Sequence, residues 1–228
     1  MQKLISVKTR RPDLSRAEFR RHYEGRHVPL GLGFVERFRW RKYARNHVVA
    51  ARTGEPGFDC LTEFWVASAH DQARTREFVG SPAFRVLDED DRRFLDVGRR
   101  LSFEVEEHLL AGAPRAVDPA GTRRVAMVLR RPPEIGAEAF ARDAAERGRR
   151  LAAAHPDSFQ RVTLDRRLSG EPGELEMAAI LSLWPKAGAA LPPSFGWPEA
   201  EPRCTVVGLE VVETPPEALF RASDGDAA

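Results

Sequence analysis

The two halves of the chain show the same order of predicted secondary-structure elements. A strand rich in branched residues is followed by Arg10-Arg-Pro12, and a similar strand is followed by Arg130-Arg-Pro132. The helix after the first strand contains Ala17-Glu-Phe19, and the second copy contains Glu138-Ala-Phe140 at the corresponding place. A repeat period of roughly 121 residues is much longer than a solenoid repeat. The 228 residues therefore predict two copies of one complete folding unit.

The first copy has the order β, α, β, β, α, β, which is the ferredoxin-like split βαβ arrangement. Its elements are predicted at about residues 4–9 (strand), 15–27 (helix), 37–50 and 59–67 (strands), 69–95 (helices) and 101–110 (strand). One sheet face of such a unit stays uncovered, and two units packed together bury both faces. We therefore predict an α+β fold in which two tandem ferredoxin-like units form an intrachain dimeric α/β barrel.

The first helix carries signals for both of its ends. Ser15 and Glu18 have the spacing of a capping box, which predicts the helix start. Pro29 disfavours helical geometry at the residue before it, so we expect the helix to end or kink near His27.

Proline and glycine between the copies predict a linker. The predicted organisation is an N-terminal unit at 1–111, a linker at 112–121, a degenerate second unit at 122–214 and a flexible tail at 215–228. Within the second unit, strands at 158–168 and 175–184 flank a turn at 170–173, and a Pro-rich stretch at 191–202 replaces at least part of a helix.

The composition excludes several classes of protein. Lys and Arg number 36 against 34 Asp and Glu, so a nucleic-acid partner is not expected. The two cysteines, Cys60 and Cys204, are too far apart for a disulfide framework or a structural zinc site. Without a signal peptide or an apolar membrane span, we expect a cytoplasmic protein with no membrane partner. The acidic run at 88–91 is predicted to be a solvated helix face rather than a metal site.

Histidine and tyrosine side chains supply the first candidates for chemistry. His27 is expected at a helix C-terminus, where the dipole favours the protonated form, so it is a candidate acid or base. The alternative is a structural histidine bonded to a carbonyl. Tyr43 and His47 share the parity of one strand and are candidates for orienting or polarising a carbonyl group. Arg45 shares that parity, which leaves a solvent-exposed face as the alternative.

The next strand adds carboxylates. Asp59, Glu63 and Trp65 share one parity, and a carboxylate among apolar neighbours would have a raised pKa suited to a base. The alternatives are an ion pair between Glu63 and an arginine, and a purely structural Trp65.

Several stretches of the first half resemble the EthD family of the dimeric α/β-barrel superfamily over about residues 1–110. These stretches are Lys3-Leu-Ile-Ser6, Arg11-Pro-Asp-Leu-Ser15, Glu18-Phe-Arg-Arg-His-Tyr23, His27-Val-Pro-Leu30, Tyr43 with Asn46-His47, Glu63-Phe-Trp65, Phe94-Leu-Asp96 and Val105-Glu-Glu107. The resemblance implies a ferredoxin-like unit that pairs its sheet with a second unit. The superfamily includes isomerases, polyketide cyclases, monooxygenases and some haem enzymes, so the resemblance specifies the fold more closely than the reaction.

Polar chemistry is concentrated in the first half. Five of the six histidines lie before residue 110, and both tyrosines do as well. Shifting the sequence by one repeat places Gly148 opposite His27 and Leu168 opposite His47. This asymmetry predicts that the first unit holds the working pocket and that the second is mostly scaffold.

The predicted function is that of a cofactor-independent acid/base enzyme of the isomerase, cyclase or lyase type. Its substrate would be a small aromatic, lactone or polyketide-like molecule, and its quaternary state a monomeric pseudo-dimer or a homodimer. The predicted catalytic residues are His27, Tyr43, His47 and Glu63, and the predicted substrate-binding residues are Tyr23, Trp40, Asn46, Asp59, Trp65 and Phe94. The alternatives are a monooxygenase or haem-binding barrel protein, and a non-catalytic ligand-binding accessory protein.

Overall fold

A computed structural model describes residues 1–53, 55–114, 117–168, 177–192, 195 and 204–221. The strands in this part of the chain are β1 (Gln2–Lys8), β2 (Lys42–Ala51), β3 (Cys60–Val66), β4 (Leu101–Gly112), β5 (Arg123–Arg130), β6 (Phe159–Arg167), β7 (Met177–Pro185) and β8 (Cys204–Glu213). The α-helices are α1 (Arg16–His22), α2 (Val28–Leu32), α3 (Val35–Phe38), α4 (Ala69–Val79), α5 (Arg85–Phe94) and α6 (Ala137–Ala154). A π-helical segment, Tyr23–His27, joins α1 to α2 and is called the π-turn below.

Hydrogen bonds join the strands in the order β1-β3-β2-β8-β5-β7-β6-β4, and the sheet closes on itself. The predicted closed barrel with helices is therefore confirmed. The origin of this barrel in a tandem duplication stays a prediction. None of the described helices is long and apolar enough to span a membrane.

The described chain forms two compact units. The first contains residues 1–45, 58–102 and 213–221, and the second contains the described residues of 46–57 and 103–212. The division predicted from the repeat, at 1–111 and 122–214, stays a prediction.

Several segments assigned from the sequence include residues outside the described chain, among them residues 115–116 of the predicted linker and 175–176 of a predicted strand. In the predicted tail, Leu219 and Phe220 are buried after a 3-10 turn at Pro216–Ala218, and residues 222–228 lie outside the described residues. The predicted turn at 170–173 and most of the Pro-rich stretch at 191–202 also lie outside them.

In the first unit, β1 and β3 pair in antiparallel register and alternate their side chains between two faces. Leu4 lies opposite Phe64, and both pack with the helices in one apolar cluster that contains Phe19 and Phe94. Since successive strand residues point to opposite sides, Glu63 points away from these helices. The face toward the helices is the one that carries the candidate site.

The first helix begins as predicted and continues further than predicted. Ser15 accepts a hydrogen bond from the Glu18 backbone and Glu18 bonds back, which completes the capping box. The end or kink expected near His27 takes the form of a change in helix type, because α1 gives way to the π-turn and the chain stays helical to Leu32. The N–H of Val28 bonds to the carbonyl of Tyr23, one residue wider than in an α-helix. This widening accommodates Pro29, whose ring would clash with a carbonyl in a regular helix.

The strand and helices that follow are close to the predicted pattern. The predicted strand at 37–50 starts later, at Lys42, because α3 and a left-handed residue, Arg39, precede it. The predicted interruption near Gly80 is confirmed, with α4 ending at Val79 and α5 beginning at Arg85.

The second unit packs β5, β6, β7 and β8 in antiparallel pairs against α6. Gly148 of α6 lies so close to this sheet that a Cβ atom would come within 2.5 Å of Leu110 and 2.8 Å of Leu181. A glycine at this position therefore has a packing cause. The core here is apolar and is centred on Met127, Leu129 and Leu183.

Candidate active site

The first unit contains a cavity of about 300 Å³ between its helices and the helix-facing side of the strands. Side chains of β1, β3, the π-turn, α4 and α5 contribute to its wall. Aliphatic and aromatic side chains line the cavity together with an equal number of polar residues or residues with a polar tip. The latter are Ser6, Lys8, Tyr23, His27, Tyr43, Thr75, Arg76, Asp91, Arg100 and Ser102.

His27 is held in the cavity wall by carboxylates on both of its ring nitrogens. Nδ1 lies 3.1 Å from Asp90 Oδ2, and Nε2 lies 3.4 Å from Asp91 Oδ1. The ring also packs against Phe94, with the centroids 5.0 Å apart. The hydrogen bond to Asp90 orients the imidazole, and Nε2 is left as the nitrogen on the Asp91 side.

Burial favours the neutral form of His27. Desolvation lowers the pKa of His27 below its usual value and outweighs the opposing attraction of Asp91 and Asp90. The expectation of a dipole-favoured imidazolium is therefore wrong, because His27 lies inside a continuing helix and not at its C-terminus. A neutral imidazole near pH 7 suits a general base.

Asp90 is the buried centre of a small polar network. Its carboxylate also contacts His22 Nε2 at 3.2 Å and accepts a hydrogen bond from Arg26 Nε at 2.9 Å. Burial raises the pKa of Asp90, but the hydrogen bonds from His27 and His22 outweigh it and leave the pKa below its usual value. Asp91 binds Arg100 at 2.9 Å. The predicted solvated face at 88–91 is thus wrong for Asp90 and Asp91, which are 1% and 4% exposed.

Two tyrosines form a second polar group in the cavity wall. The Tyr23 hydroxyl lies 2.7 Å from Thr62 Oγ1 and also hydrogen-bonds Tyr43. Burial raises the pKa of both phenols, so they remain neutral hydrogen-bond donors at physiological pH. The ring of Tyr43 stacks on Phe64 with centroids 4.9 Å apart, and the Arg45 guanidinium lies over the Tyr43 ring, 4.5 Å from its centre.

Trp40 and Phe94 have different relations to the cavity. Trp40 lines it and stacks on Phe38, with 4.0 Å between the ring centroids. Phe94 is fully buried and supports the rings of His22 and His27 from behind. Phe94 therefore positions the histidine rather than lining the cavity.

Glu63 and Trp65 lie on the other face of β3. The Lys3 ammonium lies 3.3 Å from Glu63 Oε1 and 4.8 Å from the centre of the Trp65 ring. Lys42 lies 5.0 Å from the same ring. Glu63 is thus engaged by a lysine, and the strand places it away from His27 and Tyr43.

Asp59 lies just before β3 and is engaged by arginines. It accepts a hydrogen bond from the Arg10 backbone at 2.9 Å and pairs with the guanidinium groups of Arg10 and Arg16. Its carboxylate joins the chain after β1 to α1, which indicates a structural role.

Asn46 and His47 belong to the second compact unit. Asn46 Oδ1 accepts a hydrogen bond from Arg124 at 3.1 Å, and His47 is 2% exposed. The structure therefore brings His27, Tyr23, Tyr43 and Trp40 to one cavity of the first unit. The other predicted site residues have the separate contacts given above.

Sequence reasoning missed Lys8, Asp90 and Asp91. Lys8 is the last residue of β1 and lines the cavity, on the same face as Leu4. Lys8 alternates with Leu4 and Ser6 along β1, and this pattern could have placed it on the same face of the strand. The carboxylates were hidden by the run of charges around them. Among the described residues, no three His, Cys, Asp or Glu side chains are arranged to hold a metal ion.

A closed antiparallel barrel with helices is the architecture of the dimeric α/β-barrel proteins, and the chain has this fold. Residues 11–98 match the family model of the EthD domain. The matched residues include His27, Tyr43 and Asp90. The predicted resemblance is therefore confirmed.

The first of two similar solved structures supports the fold assignment. An anthrone oxidase-like protein is similar with a TM-score of 0.50 and 14% identity, covering 93% of this chain and 92% of that one. A chlorite dismutase from Candidatus Nitrospira defluvii, solved with imidazole, has a TM-score of 0.46 and 12% identity, covering 94% and 92% of the two chains. At these identities the likeness concerns the fold alone. No curated relative matches the sequence significantly.

Proposed function

We propose that the chain is a cofactor-independent acid/base enzyme of the isomerase, cyclase or lyase type. Its substrate is a small aromatic, lactone or polyketide-like molecule bound in the cavity of the first unit. The observation that carries this proposal is His27, a wall residue whose Nδ1 lies 3.1 Å from the buried carboxylate of Asp90. A histidine oriented by a carboxylate at the edge of an apolar cavity is the arrangement that proton transfer requires.

The proposed step removes a proton from a carbon next to a carbonyl group. The proton goes to His27 Nε2, and the electron pair of the C–H bond moves to the carbonyl oxygen as an enolate. Asp91 Oδ1 is buried and has no hydrogen-bond partner among the described residues, and it lies 3.4 Å from Nε2. It therefore stabilises the imidazolium that forms. The enolate then takes the proton back at the same or another carbon.

The neutral phenols complete the proposed mechanism. Tyr43 donates a hydrogen bond to the developing enolate oxygen, and Tyr23 holds Tyr43 in place. Burial keeps both hydroxyl groups protonated, so they are able to donate. Trp40 and Phe64 supply aromatic walls for a flat ligand.

A haem group does not fit His27. An axial ligand needs a ring nitrogen that faces the iron, and a haem site needs a large cavity. The cavity holds only about 300 Å³, which is the lower end of the range for ligand pockets. No step through haem is derived for this site.

The experiment follows proton exchange, since this requires no knowledge of the natural substrate. The protein is incubated in deuterated buffer with 2-tetralone, an enolisable aromatic ketone, and with aromatic lactones of similar size. NMR measures deuterium at the α-carbon, and we expect incorporation well above the buffer rate. Binding of these probes without exchange contradicts the proposal and favours an accessory ligand-binding protein. Absorbance in the Soret region, or uptake of oxygen during the reaction, favours the oxygen-dependent alternative.

The exchange rate is expected to stay high down to mildly acidic pH. The reaction needs neutral His27, and burial lowers the pKa of His27 below its usual value of 6.5. The rate should therefore fall only as the pH drops through a midpoint below 6.5. A profile of rate against pH checks this, with the buffer-catalysed rate subtracted at each point. A midpoint above that value would show that a different group titrates.

A further inference from the structure

The ammonium group of Lys8 lies in the cavity wall without a counter-charge in contact. Lys8 ends β1, its cross-strand neighbour is Cys60, and its side chain lines the cavity. Within the described chain, its ammonium forms no ion pair or hydrogen bond, and only longer-range charge interactions reach it. Lys8 is partly buried, and a partly buried ammonium is stabilised when an anion pairs with it.

The nearby charges do not supply that partner. Asp91 is the carboxylate that attracts Lys8 most strongly, but it is bound by Arg100 at 2.9 Å. Desolvation lowers the pKa of Lys8, and the attraction of Asp91 only partly opposes this. Because Arg100 and His27 both lie against Asp91, Lys8 has no carboxylate of its own in the part of the wall that the structure describes.

The rest of the wall specifies the remainder of the ligand. Phe38, Trp40, Phe64 and Leu87 line the same cavity and offer only apolar or aromatic surface. A ligand that satisfies both features is flat and aromatic and carries one negative charge. A carboxylate is the group that matches a single ammonium at the edge of such a surface.

We propose that Lys8 anchors the carboxylate of a small aromatic monoacid in this cavity. The inference rests on the proposed function, because it names the substrate class of the same site. Lys8 then acts in binding and orientation: it fixes the acidic end of the ligand, and the carbon to be deprotonated is held toward His27.

The test compares two probes that differ only in charge. Binding of 2-naphthoate and of its neutral isostere 2-naphthamide is measured by calorimetry at pH 7. We expect the wild-type protein to bind naphthoate about tenfold more tightly or better, as for a hydrogen bond to a charged group. Lys8→Met and Lys8→Gln are expected to lose this preference and to keep the naphthamide affinity. Lys186→Met, at a lysine whose side chain is 45% exposed in the second unit, is the matched control and should keep the preference.

Folding and catalysis are separated from this readout. Thermal unfolding of Lys8→Met should occur no lower than in wild type, because the change removes a partly buried charge that has no contact partner in the described chain. Failure of wild type to bind naphthoate, equal affinity for both probes, or a preference that persists in both Lys8 variants overturns the anchor. A preference that depends on Lys8 in a protein without deuterium exchange supports the anchor and contradicts the proposed catalysis. Exchange without any preference contradicts the anchor alone.

Discussion

Replacing His27 with glutamine is expected to slow deuterium exchange into 2-tetralone by about a hundredfold or more. Glutamine has a similar reach and is able to donate a hydrogen bond to Asp90, but it cannot accept a proton at neutral pH. The loss should appear in the first-order rate of α-deuteration measured by NMR at pH 7. Probe affinity should change much less, since His27 forms one part of a large apolar wall.

Two aspartates of α5 provide the matched pair for this experiment. Asp90→Asn should lower the exchange rate about tenfold, because it removes the charge that stabilises the imidazolium but keeps an acceptor near Nδ1. Asp88→Asn should leave the rate unchanged, since Asp88 is more exposed and pairs with Arg92 at 2.8 Å on the surface of the same helix. An unchanged rate in His27→Gln, with folding intact by circular dichroism, removes His27 from the mechanism.

The elements near the site were predictable where local chemistry determines them. The capping pattern of Ser15 and Glu18 placed the start of α1. Pro29 predicted the position of a change in the helix but not the kind of change, since the helix widens into a π-turn there and then continues. Tertiary contacts decide between these outcomes. The ring of His27 packs on Phe94, which lies more than sixty residues later in the sequence.

Strand parity was informative, but it could not say which face meets the cavity. Glu63 and Trp65 were correctly grouped on one face of β3, yet the cavity lies on the face of Phe64 and Val66. Both faces of this strand are largely buried, so apolar alternation gives no direction. The same ambiguity concealed Lys8, which has the parity of Leu4 in a strand whose other parity is also apolar.

Charge runs were the most misleading signal. Residues 88–91 are four consecutive acids on one helix, and a helix exposes some of these positions and buries others. Asp88 is on the surface, whereas Asp90 and Asp91 face the π-turn and β1. Leu87 and Phe94 are also buried on α5, and Asp90 and Asp91 lie at helical spacing from them on the same side of the helix. This apolar periodicity is the pattern that distinguishes Asp90 and Asp91 from Asp88.

Replacing Arg124 with methionine is expected to lower the free energy of unfolding by about 3–5 kcal/mol. The Arg124 side chain is fully buried in the second unit. Its Nε donates to Ser182 Oγ at 3.0 Å, one terminal nitrogen donates to Asn46 Oδ1 at 3.1 Å, and the other lies 3.7 Å from Asp165 Oδ2. Without the guanidinium, the buried Asp165 carboxylate loses a counter-charge. Urea unfolding monitored by circular dichroism measures the change.

The neighbouring Arg123 is the control for this substitution. Its side chain is 60% exposed and pairs with Glu210 at 3.2 Å, so Arg123→Met should cost at most about 1 kcal/mol. If both variants lose the same small amount, the network around Arg124 does not stabilise the second unit.

This network changes what the unequal distribution of histidine and tyrosine means. The second copy of the repeat lacks those residues at the matched positions. The interior of the second compact unit nevertheless contains polar groups. Arg124, Asp165 and Ser182 form a buried polar cluster, and Asn46 belongs to it although it precedes the predicted linker. Asn46→Ala should therefore weaken folding, by leaving an arginine nitrogen without its acceptor, and should not act on a ligand in the first unit's cavity. The histidines are divided equally between the two compact units, because His22, His27 and His70 belong to the first and His47, His108 and His155 to the second. The first unit differs in that His27 and both tyrosines line its cavity, whereas the buried charges around Arg124 hold the second unit together.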